Sequence, residues 1–337
     1  GYAIVFITHK IREVLASADR ITVLRHGEVV STGTSESVEG DDLVSLMMGI
    51  DLEELSPRAQ IQDHIEYDSK KLAYQRTARS EGTTAAIEFD DVWTSDGNDP
   101  RGLNGISFSV LPGQMLGVAG ISGNGQQELG EALLGMVKYS SGNIFLSGED
   151  VKGWSVVDVL DAGVSYVTED PIVMATVPDM RVDENLVLGE LDSYSNGQVW
   201  LDITGIRERI TSALSKFPLQ LADHHMRVDK LSGGNVQRVI LAREMRLTRQ
   251  SATTPKVLMA YYPTRGLDVV TAEATRRLMM DYRDRGGAIV LVSEDLDELM
   301  ALSDNMMVMF QGNIVGEFPT ETASIQQIGM LMTGQSK

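Results

Sequence analysis

Apolar and polar positions along this chain alternate in blocks that predict strands and helices in turn. Short apolar runs bounded by glycine or polar residues predict buried strands at residues 87–92, 104–110, 115–119, 143–146, 164–168, 257–261, 288–293, 305–310 and 313–317. Longer segments with apolar residues at helical spacing predict helices at 125–136, 155–161, 204–215, 235–247, 270–285 and 295–302. This alternation is typical of an α/β fold with a mainly parallel sheet.

The two ends of the chain carry related segments. Residues 4–30 align without a gap with residues 289–315, an offset of 285 positions (289 − 4 = 285). The same offset places residues 46–49 on residues 331–334. Both copies read as strand, polar turn, amphipathic helix, strand, glycine turn and strand, and the apolar residues 3–7 are the first predicted strand of the first copy.

The repeat and a change in composition predict the domain organisation. Residues 1–50 are interpreted as the C-terminal part of a first domain, and residues 87–337 as a second domain of the same kind. Roughly 200 residues of the first domain would then lie upstream of Gly1 (87 − 285 = −198). Residues 51–86 are predicted to be a linker, because they hold Pro57, many charges and few large apolar residues. The alternative is a complete chain with a short N-terminal extension.

The composition restricts the classes of function. Among the 337 residues, 48 Asp and Glu against 29 Lys and Arg give a net charge of −19. Such a surface repels a phosphate backbone and argues against a general nucleic-acid binder, although a local nest of backbone N–H groups can still hold a phosphate. The absence of cysteine excludes disulfides and thiolate metal sites. The pair His224-His225 lacks further ligands at suitable spacing, so no metal site is expected there.

A glycine-rich loop follows the apolar run 115–119. Its glycines permit a tight turn in which backbone N–H groups and the next helix N-terminus face an anion. The spacing from Gly120 to Gly125 agrees with the phosphate loop of NTPases, but Gln126 and Gln127 stand where that loop has Lys and Ser or Thr. Taken alone, the loop is equally compatible with an ordinary strand-to-helix turn. The candidate phosphate-binding residues are Gly120, Ser122, Gly123, Asn124, Gly125, Gln126 and Gln127.

Two later motifs favour the nucleotide-binding interpretation. Leu231-Ser232-Gly233-Gly234-Asn235 is a second glycine turn at a predicted helix N-terminus. The strand 257–261 is followed by Pro263-Thr264-Arg265-Gly266-Leu267-Asp268. In order and spacing, these motifs resemble the phosphate loop, the LSGG signature and the D-loop of an ABC transporter nucleotide-binding domain. The D-loop residues would be Gly266, Leu267 and Asp268.

The resemblance is closer to one branch of this family. The segments 123–126, 166–170, 184–189 and 263–268 are similar to the second domain of the fused, two-domain ATPase subunit of sugar and nucleoside importers, and the loop is nearest the nucleoside branch. This resemblance implies a P-loop NTPase-like fold with a mainly parallel sheet, an antiparallel β subdomain and a helical subdomain.

The resemblance also implies ligands and partners. ATP would be bound with Mg²⁺, mostly at a first-domain site outside this chain. The two ATPase domains would pair head to tail, so that each ATP lies between one phosphate loop and the partner's signature. The subunit would bind two transmembrane permease subunits at the cytoplasmic face of the inner membrane, as a peripheral protein. A periplasmic or lipoprotein substrate-binding protein would act with them indirectly.

This chain departs from the family at four catalytic positions. Tyr261 and Tyr262 stand in place of the Asp-Glu pair, Glu169 in place of the Q-loop Gln, and Glu294 in place of the switch His. The altered loop is therefore expected to bind ATP but hardly hydrolyse it. In the first copy, His9 aligns with Glu294 and keeps the switch His. His9 and the signature 231–235 would thus serve one ATP, held on the phosphate loop of the first domain.

Two other functions stay open at this stage. One is a regulatory or structural domain whose ATP sites are inactive. The other is a soluble ABC-type ATPase of translation or DNA repair, which the acidic composition disfavours.

Overall fold

The chain is described in two compact units, residues 1–74 (unit 1) and residues 75–337 (unit 2). The boundary between them falls within the segment 51–86 that the sequence predicts as a linker, but residues 51–82 lie outside the described residues. The computed structural model describes residues 2–7, 11–25, 27–35, 43, 46, 83–94, 101–189, 203–214, 223–245 and 256–335. Within these residues, no helix is both long and apolar enough to cross a membrane.

Unit 1 contains one short helix and a hairpin. Helix α1 (Ile11–Ser17) is followed by strands β1 (Arg20–Arg25) and β2 (Glu28–Thr34), which pair antiparallel. Gly27 turns the hairpin with φ 84°, a conformation that favours glycine. Ile21 and Val23 of β1 are buried against Leu43.

Unit 2 begins with an antiparallel sheet. Its strands are β3 (Ile87–Trp93), β4 (Ile106–Val110), β6 (Ser141–Leu146) and β7 (Glu149–Asp150), in the order β4-β3-β6-β7. Ile87, Phe89 and Val92 of β3 are buried, whereas Glu88 and Asp90 are exposed, so one face of the sheet covers the core. The rings of Phe89 and Phe108 stack across β3 and β4 with centroids 4.7 Å apart.

The larger sheet of unit 2 is mainly parallel. It consists of β5 (Met115–Ala119), β8 (Val164–Val167), β9 (Val257–Tyr261), β10 (Ala288–Val292), β11 (Asn305–Phe310) and β12 (Asn313–Pro319), in the order β12-β11-β5-β10-β9-β8. Only β12 runs antiparallel to its neighbour. Every residue of β5, β9 and β10 is buried, which explains their uninterrupted apolar sequences.

Unit 2 also contains helices, several of which pack against this sheet. The helices are α2 (Gln126–Leu133), α3 (Val156–Asp161), α4 (Pro171–Ala175), α5 (Val182–Leu186), α6 (Ile203–Leu214), α7 (Gly233–Glu244), α8 (Val269–Asp284), α9 (Leu296–Leu302) and α10 (Ile325–Met332). Six of them begin at a side chain that accepts a backbone N–H three residues later, which fixes where each helix starts. These N-cap residues are Ser155, Asp170, Ser232, Asp268, Asp295 and Ser324.

Most elements predicted for unit 2 are confirmed. All nine predicted strands and all six predicted helices are present, with ends that differ by a few residues. Strand β7 and helices α4 and α5 were not predicted, because each is too short to show a clear period. Helix α10 was not predicted either, although it is as long as α2.

The strand predicted at residues 3–7 is wrong. These residues have no regular secondary structure, and Ile4, Val5 and Ile7 are exposed. Their counterpart β10 is a strand because it pairs with both β5 and β9. Within the described residues, no strand pairs with residues 3–7, so their backbone groups gain nothing from an extended conformation.

The internal repeat is visible in the structure itself. Adding 285 to the bounds of α1, β1 and β2 gives the bounds of α9, β11 and β12. The two hairpins also share a register shift, after Val23 in one and after Val308 in the other. Gly27 and Gly312 turn them with φ 84° and 74°. The two segments therefore have the same local fold.

Candidate functional site

The glycine-rich loop lies at the carboxyl end of a central strand. Strand β5 ends at Ala119, and α2 begins at Gln126. Gly123 and Gly125 have φ 89° and 100°, in the left-handed region, which lets the chain turn sharply into the helix. Gly125 is the N-cap and offers no side chain to the free N–H groups of the first turn. The backbone thus has the form of an anion-binding loop.

The side chain of Gln126 fills this loop. Its Oε1 accepts the Asn124 backbone N–H at 3.0 Å, and its Nε2 donates to the Ile121 carbonyl at 3.0 Å. A Cβ on Gly120 would lie 2.1 Å from the same Nε2, so the carboxamide packs directly on the backbone. Gln126 is only 3% exposed. The residue in the lysine position is therefore bound to the loop rather than directed out of it.

Neighbouring side chains bind other groups. Gln127 donates from Nε2 to Glu131 Oε1 at 2.6 Å, along its own helix. Asn124 accepts the Gln311 backbone N–H at 2.8 Å and so ties the loop to the turn between β11 and β12. Ser122 donates to Glu169 Oε1 at 3.3 Å. None of these contacts brings a positive charge to the loop.

Two buried tyrosines lie beneath α2. The Tyr261 hydroxyl donates to the Gln126 carbonyl and accepts the Gly130 backbone N–H, both at 2.9 Å. A regular α-helix joins that carbonyl and that N–H directly, so the phenol bridges the first turn of α2. The Tyr261 and Tyr166 rings lie 5.2 Å apart. Burial raises the pKa of Tyr261 and that of Tyr166 well above the ordinary value, so both phenols are neutral.

These residues do not fit a magnesium ion at the loop of unit 2. Mg²⁺ requires hard oxygen ligands, usually a hydroxyl and a carboxylate in this type of site. Gln127 and Tyr261 take those two positions, and both already have protein partners. Within the described residues, no three Asp, Glu or His side chains form a group that could hold a metal ion.

Tyr262 stands where the resemblance places the second residue of the Asp-Glu pair. It is 6% exposed and has φ 47°, in the left-handed region. Burial, and then the nearby charges of Glu169 and Glu294, raise the pKa of Tyr262 to about 12. The guanidinium of Arg265 lies 5.5 Å from the ring centroid. A phenol that stays protonated at neutral pH cannot serve as a general base.

The LSGG signature is presented at the start of a well-formed helix. Ser232 caps α7 by accepting the Asn235 N–H, and Asn235 Nδ2 donates to the same oxygen at 3.1 Å. Ser232 and Gly233 are exposed, and the first turn of α7 holds no acidic residue. The positive end of the helix dipole therefore faces solvent with free N–H groups, which suits a phosphate brought from elsewhere.

The signature helix is fixed to the D-loop. Gln237 donates to the Pro263 carbonyl at 3.2 Å. Arg238 pairs with Asp268 at 2.9 Å and also donates to Thr271. A cleft of about 530 Å³ opens between these elements and residues 169–172. Tyr262 and the signature line this cleft, whereas none of residues 120–127 is among the described residues around it.

The buried carboxylate of Glu298 binds the segment that leads into the D-loop. Glu298 of α9 is 1% exposed. Its Oε1 accepts from Thr264 Oγ1 at 2.8 Å and from Arg276 Nε at 3.2 Å, and its Oε2 accepts from Ser293 Oγ at 2.8 Å. Sequence reasoning did not select Glu298 as a functional residue. The internal repeat held a signal, because Glu298 aligns with Glu13 at the offset of 285.

The structure places the remaining predicted residues as follows. Glu294 is exposed and follows β10, and the D-loop residues 266–268 lead into α8. His9 lies outside the described residues, so its assignment stays a prediction.

Comparison with known proteins agrees with this geometry. Residues 103–259 match the family model described as ABC transporter. This match covers 157 of the 337 residues (259 − 103 + 1 = 157). The chain matches a nucleotide-free ATP-binding cassette with a TM-score of 0.57 and 19% identity, over 74% of this chain and 95% of that one. A dimeric cassette in a post-hydrolysis state with ADP and Pi gives a TM-score of 0.58 and 19% identity, over 69% and 98%. The α/β, P-loop NTPase-like fold predicted from the sequence is confirmed.

Curated proteins similar to this chain are import ATP-binding proteins. A glucose import ATP-binding protein of Haloferax volcanii is 34% identical over 99% of this chain and 57% of its own length. A nucleoside import ATP-binding protein of Lactococcus lactis subsp. cremoris is 31% identical over 99% and 61%. A ribose import ATP-binding protein of Clostridium perfringens is 29% identical over 99% and 61%. The chain thus spans about three fifths of the length of these relatives.

The close packing of α2 on the two tyrosines gives a stability prediction. A Cβ on Gly130 would lie 2.3 Å from Tyr166 Cε2 and 2.7 Å from the Tyr261 hydroxyl. Gly130→Ala is therefore expected to lower the free energy of unfolding by about 1–3 kcal/mol through overpacking. Gly329→Ala is the matched control, because it also lies in an eight-residue helix and its Cβ would meet nothing within 4 Å. Urea unfolding should show the control unchanged or more stable by about 0.5–1 kcal/mol. Equal effects would contradict the packing described.

Proposed function

We propose that this chain is the C-terminal part of the ATPase subunit of an ABC importer for a simple sugar or a nucleoside. The relatives are named as import ATP-binding proteins for glucose, a nucleoside and ribose, and these names support the importer class. The chain covers 57–61% of those relatives, which agrees with a subunit longer than this chain. The nucleoside branch is favoured by the Gly123–Gln126 sequence.

The exposed signature is the observation that carries this proposal. Ser232 and Gly233 face solvent at the N-terminus of α7, and no phosphate-loop residue of this unit lines the adjoining cleft. A signature in this position serves an ATP held by a second domain paired head to tail with unit 2. That domain is the upstream one, and its phosphate loop supplies the lysine and the metal ligands that unit 2 lacks. His9, from the end of that domain, orients the γ-phosphate and the attacking water.

The loop of unit 2 does not carry out hydrolysis in this proposal. Phosphoryl transfer depends on charges directed at the transferring group, and the residues in the altered positions supply none that fits. Gln126 is bound to its own loop, Tyr261 and Tyr262 are neutral phenols, and Glu294 adds negative charge. The asymmetry between the two ATP sites follows from these substitutions.

An apolar surface beside the cleft supports membrane partners. Exposed apolar side chains gather on and after α4 and on the neighbouring segment that precedes the signature: Ile172, Val173, Met174, Val177, Met180 and Met226. Clusters of this kind mark protein–protein contacts. In this proposal the surface contacts permease subunits, which hold the ATPase at the cytoplasmic face of the membrane as a peripheral subunit. The substrate-binding protein then acts through the permeases.

A regulatory domain without an active ATP site is the second candidate. The occupation of the loop by Gln126 favours it. The two candidates differ in whether the signature completes a working site. Turnover by the full-length protein therefore separates them.

The test compares the 337-residue chain with the full-length protein. Residues 1–337 alone are expected to show no measurable Mg²⁺-dependent ATP hydrolysis, because the only phosphate loop among the described residues lacks its cation and metal ligands. Adding the upstream domain is expected to restore turnover. A phosphate-release assay on both proteins at saturating ATP measures this. Robust turnover by the 337-residue chain would contradict the proposal, and an inactive full-length protein would support the regulatory alternative.

A further inference from the structure

The loop of unit 2 uses its own side chain as a ligand. A phosphate bound in such a loop is held by backbone N–H groups that point inward. The Asn124 N–H lies in this loop, and it donates to Gln126 Oε1 at 3.0 Å. The carboxamide oxygen therefore accepts a hydrogen bond that a phosphate oxygen would need.

The other end of the carboxamide closes the loop. Nε2 donates to the Ile121 carbonyl at 3.0 Å, so the side chain spans the loop from residue 121 to residue 124. Gly120 has no Cβ and leaves room for this contact. Gln126 is only 3% exposed, so water hardly competes for these two hydrogen bonds. The arrangement satisfies both ends of the amide.

Residue 126 is also held through its backbone. Its carbonyl accepts the Tyr261 hydroxyl at 2.9 Å, and that phenol is fully buried. Tyr261 therefore fixes the start of α2 in the position from which the Gln126 side chain folds back into the loop. Two of the altered positions, Gln126 and Tyr261, act together on one closed arrangement.

We propose that Gln126 is an internal occupant of the phosphate loop and determines how weakly this loop binds nucleotide. A triphosphate has to displace the carboxamide before the Asn124 N–H can bind it. This role of Gln126 rests on the proposed function in one respect, which is that the ligand is ATP. It goes further by assigning Gln126 an inhibitory contact. If Gln126 instead took over the role of the lysine, it would assist nucleotide binding.

These two roles predict opposite effects of the same substitution. If Gln126 blocks the loop, Gln126→Ala frees the Asn124 N–H, and MgATP binds more tightly by about fivefold, the factor that one neutral hydrogen bond gives. If Gln126 holds the phosphate, Gln126→Ala weakens binding by a similar factor. Gln126→Lys should bind more tightly than Gln126→Ala, because it restores a cation as well as opening the loop.

A second substitution, Gly123→Ala, tests whether the tighter binding of MgATP occurs at the loop. Gly123 has φ 89°, and an added Cβ there would meet nothing within 4 Å. Gly123→Ala therefore strains the loop backbone without a clash elsewhere. In the double variant Gln126→Ala, Gly123→Ala, the tighter binding should be lost.

The experiment is calorimetric titration of MgATP into the 337-residue chain and the variants. Thermal melting of each protein checks that it is folded. A lower Kd for Gln126→Ala that returns toward the original value in the double variant supports the proposal. A Kd that is unchanged or higher for Gln126→Ala would overturn it, as would a gain that survives Gly123→Ala. These outcomes leave the proposed function intact, because the signature and His9 are untouched.

Discussion

Replacing Glu298 by alanine is expected to lower the free energy of unfolding by about 3–5 kcal/mol. The carboxylate is buried and receives hydrogen bonds from three different elements. These come from Thr264 beside the D-loop, Arg276 of α8 and Ser293 after β10. Removing it takes from Arg276, which is 17% exposed, its nearer carboxylate at 3.2 Å and leaves the more distant one of Glu273 at 3.9 Å. It also leaves the hydroxyls of Thr264 and Ser293 without the oxygens that accept from them, and lost buried partners of this kind are costly.

Equilibrium unfolding in urea measures this effect. Asp297→Ala is the matched control, because Asp297 is the preceding residue of the same helix and is exposed. It should change the free energy of unfolding by less than about 1 kcal/mol. A cost below about 1 kcal/mol for Glu298→Ala would show that the network does not stabilise unit 2.

The sequence predicts the larger sheet well because its central strands are buried on both faces. β5, β9 and β10 are buried on both faces, so they must be apolar throughout, and that run is easy to detect. Residues 3–7 show the limit of the same reasoning. They have the apolar sequence of a buried strand, yet they are exposed because the described chain offers them no neighbouring strand. Apolar sequence predicts a strand only where partners are present.

The candidate site is predictable in position but not in detail. The glycine spacing locates the loop, and the LSGG sequence locates the signature at a helix N-terminus. By contrast, the sequence alone shows which residues stand at the altered positions, but it does not show which contacts their side chains make. The insertion of Tyr261 beneath α2 depends on space left by Gly130, which lies 131 residues earlier in the sequence. Such long-range packing has no local sequence signal.

Replacing Ser232 by aspartate in the full-length protein is expected to reduce ATP turnover by about 100-fold or more, the range found when one donor to a developing charge is removed. Ser232 lies at the exposed end of α7, where the proposal places the γ-phosphate across the interface. Aspartate also caps a helix well, so the helix itself should persist. The carboxylate, however, repels the phosphate. The loss is therefore expected in catalysis rather than in folding.

Ser324→Asp is the matched control for this substitution. Ser324 also caps an exposed helix, α10, by accepting the Gln327 N–H at 3.2 Å. Its replacement should leave turnover unchanged. His9→Ala should lower turnover by about tenfold or more, roughly 1.4 kcal/mol. If His9→Ala has no effect while Glu294→Ala abolishes turnover, the assignment of the two sites is reversed.

In the proposed function, only one of the two ATP sites is hydrolytic, and Ser232 completes it. The most direct measurement is the number of ADP molecules formed per full-length chain in a single turnover. The protein is saturated with MgATP, free nucleotide is removed, and bound nucleotide is quantified after acid quenching at successive times. The account predicts one ADP per chain, and none in the Ser232→Asp variant on the same time scale. Two ADP per chain, formed at equal rates, would contradict it.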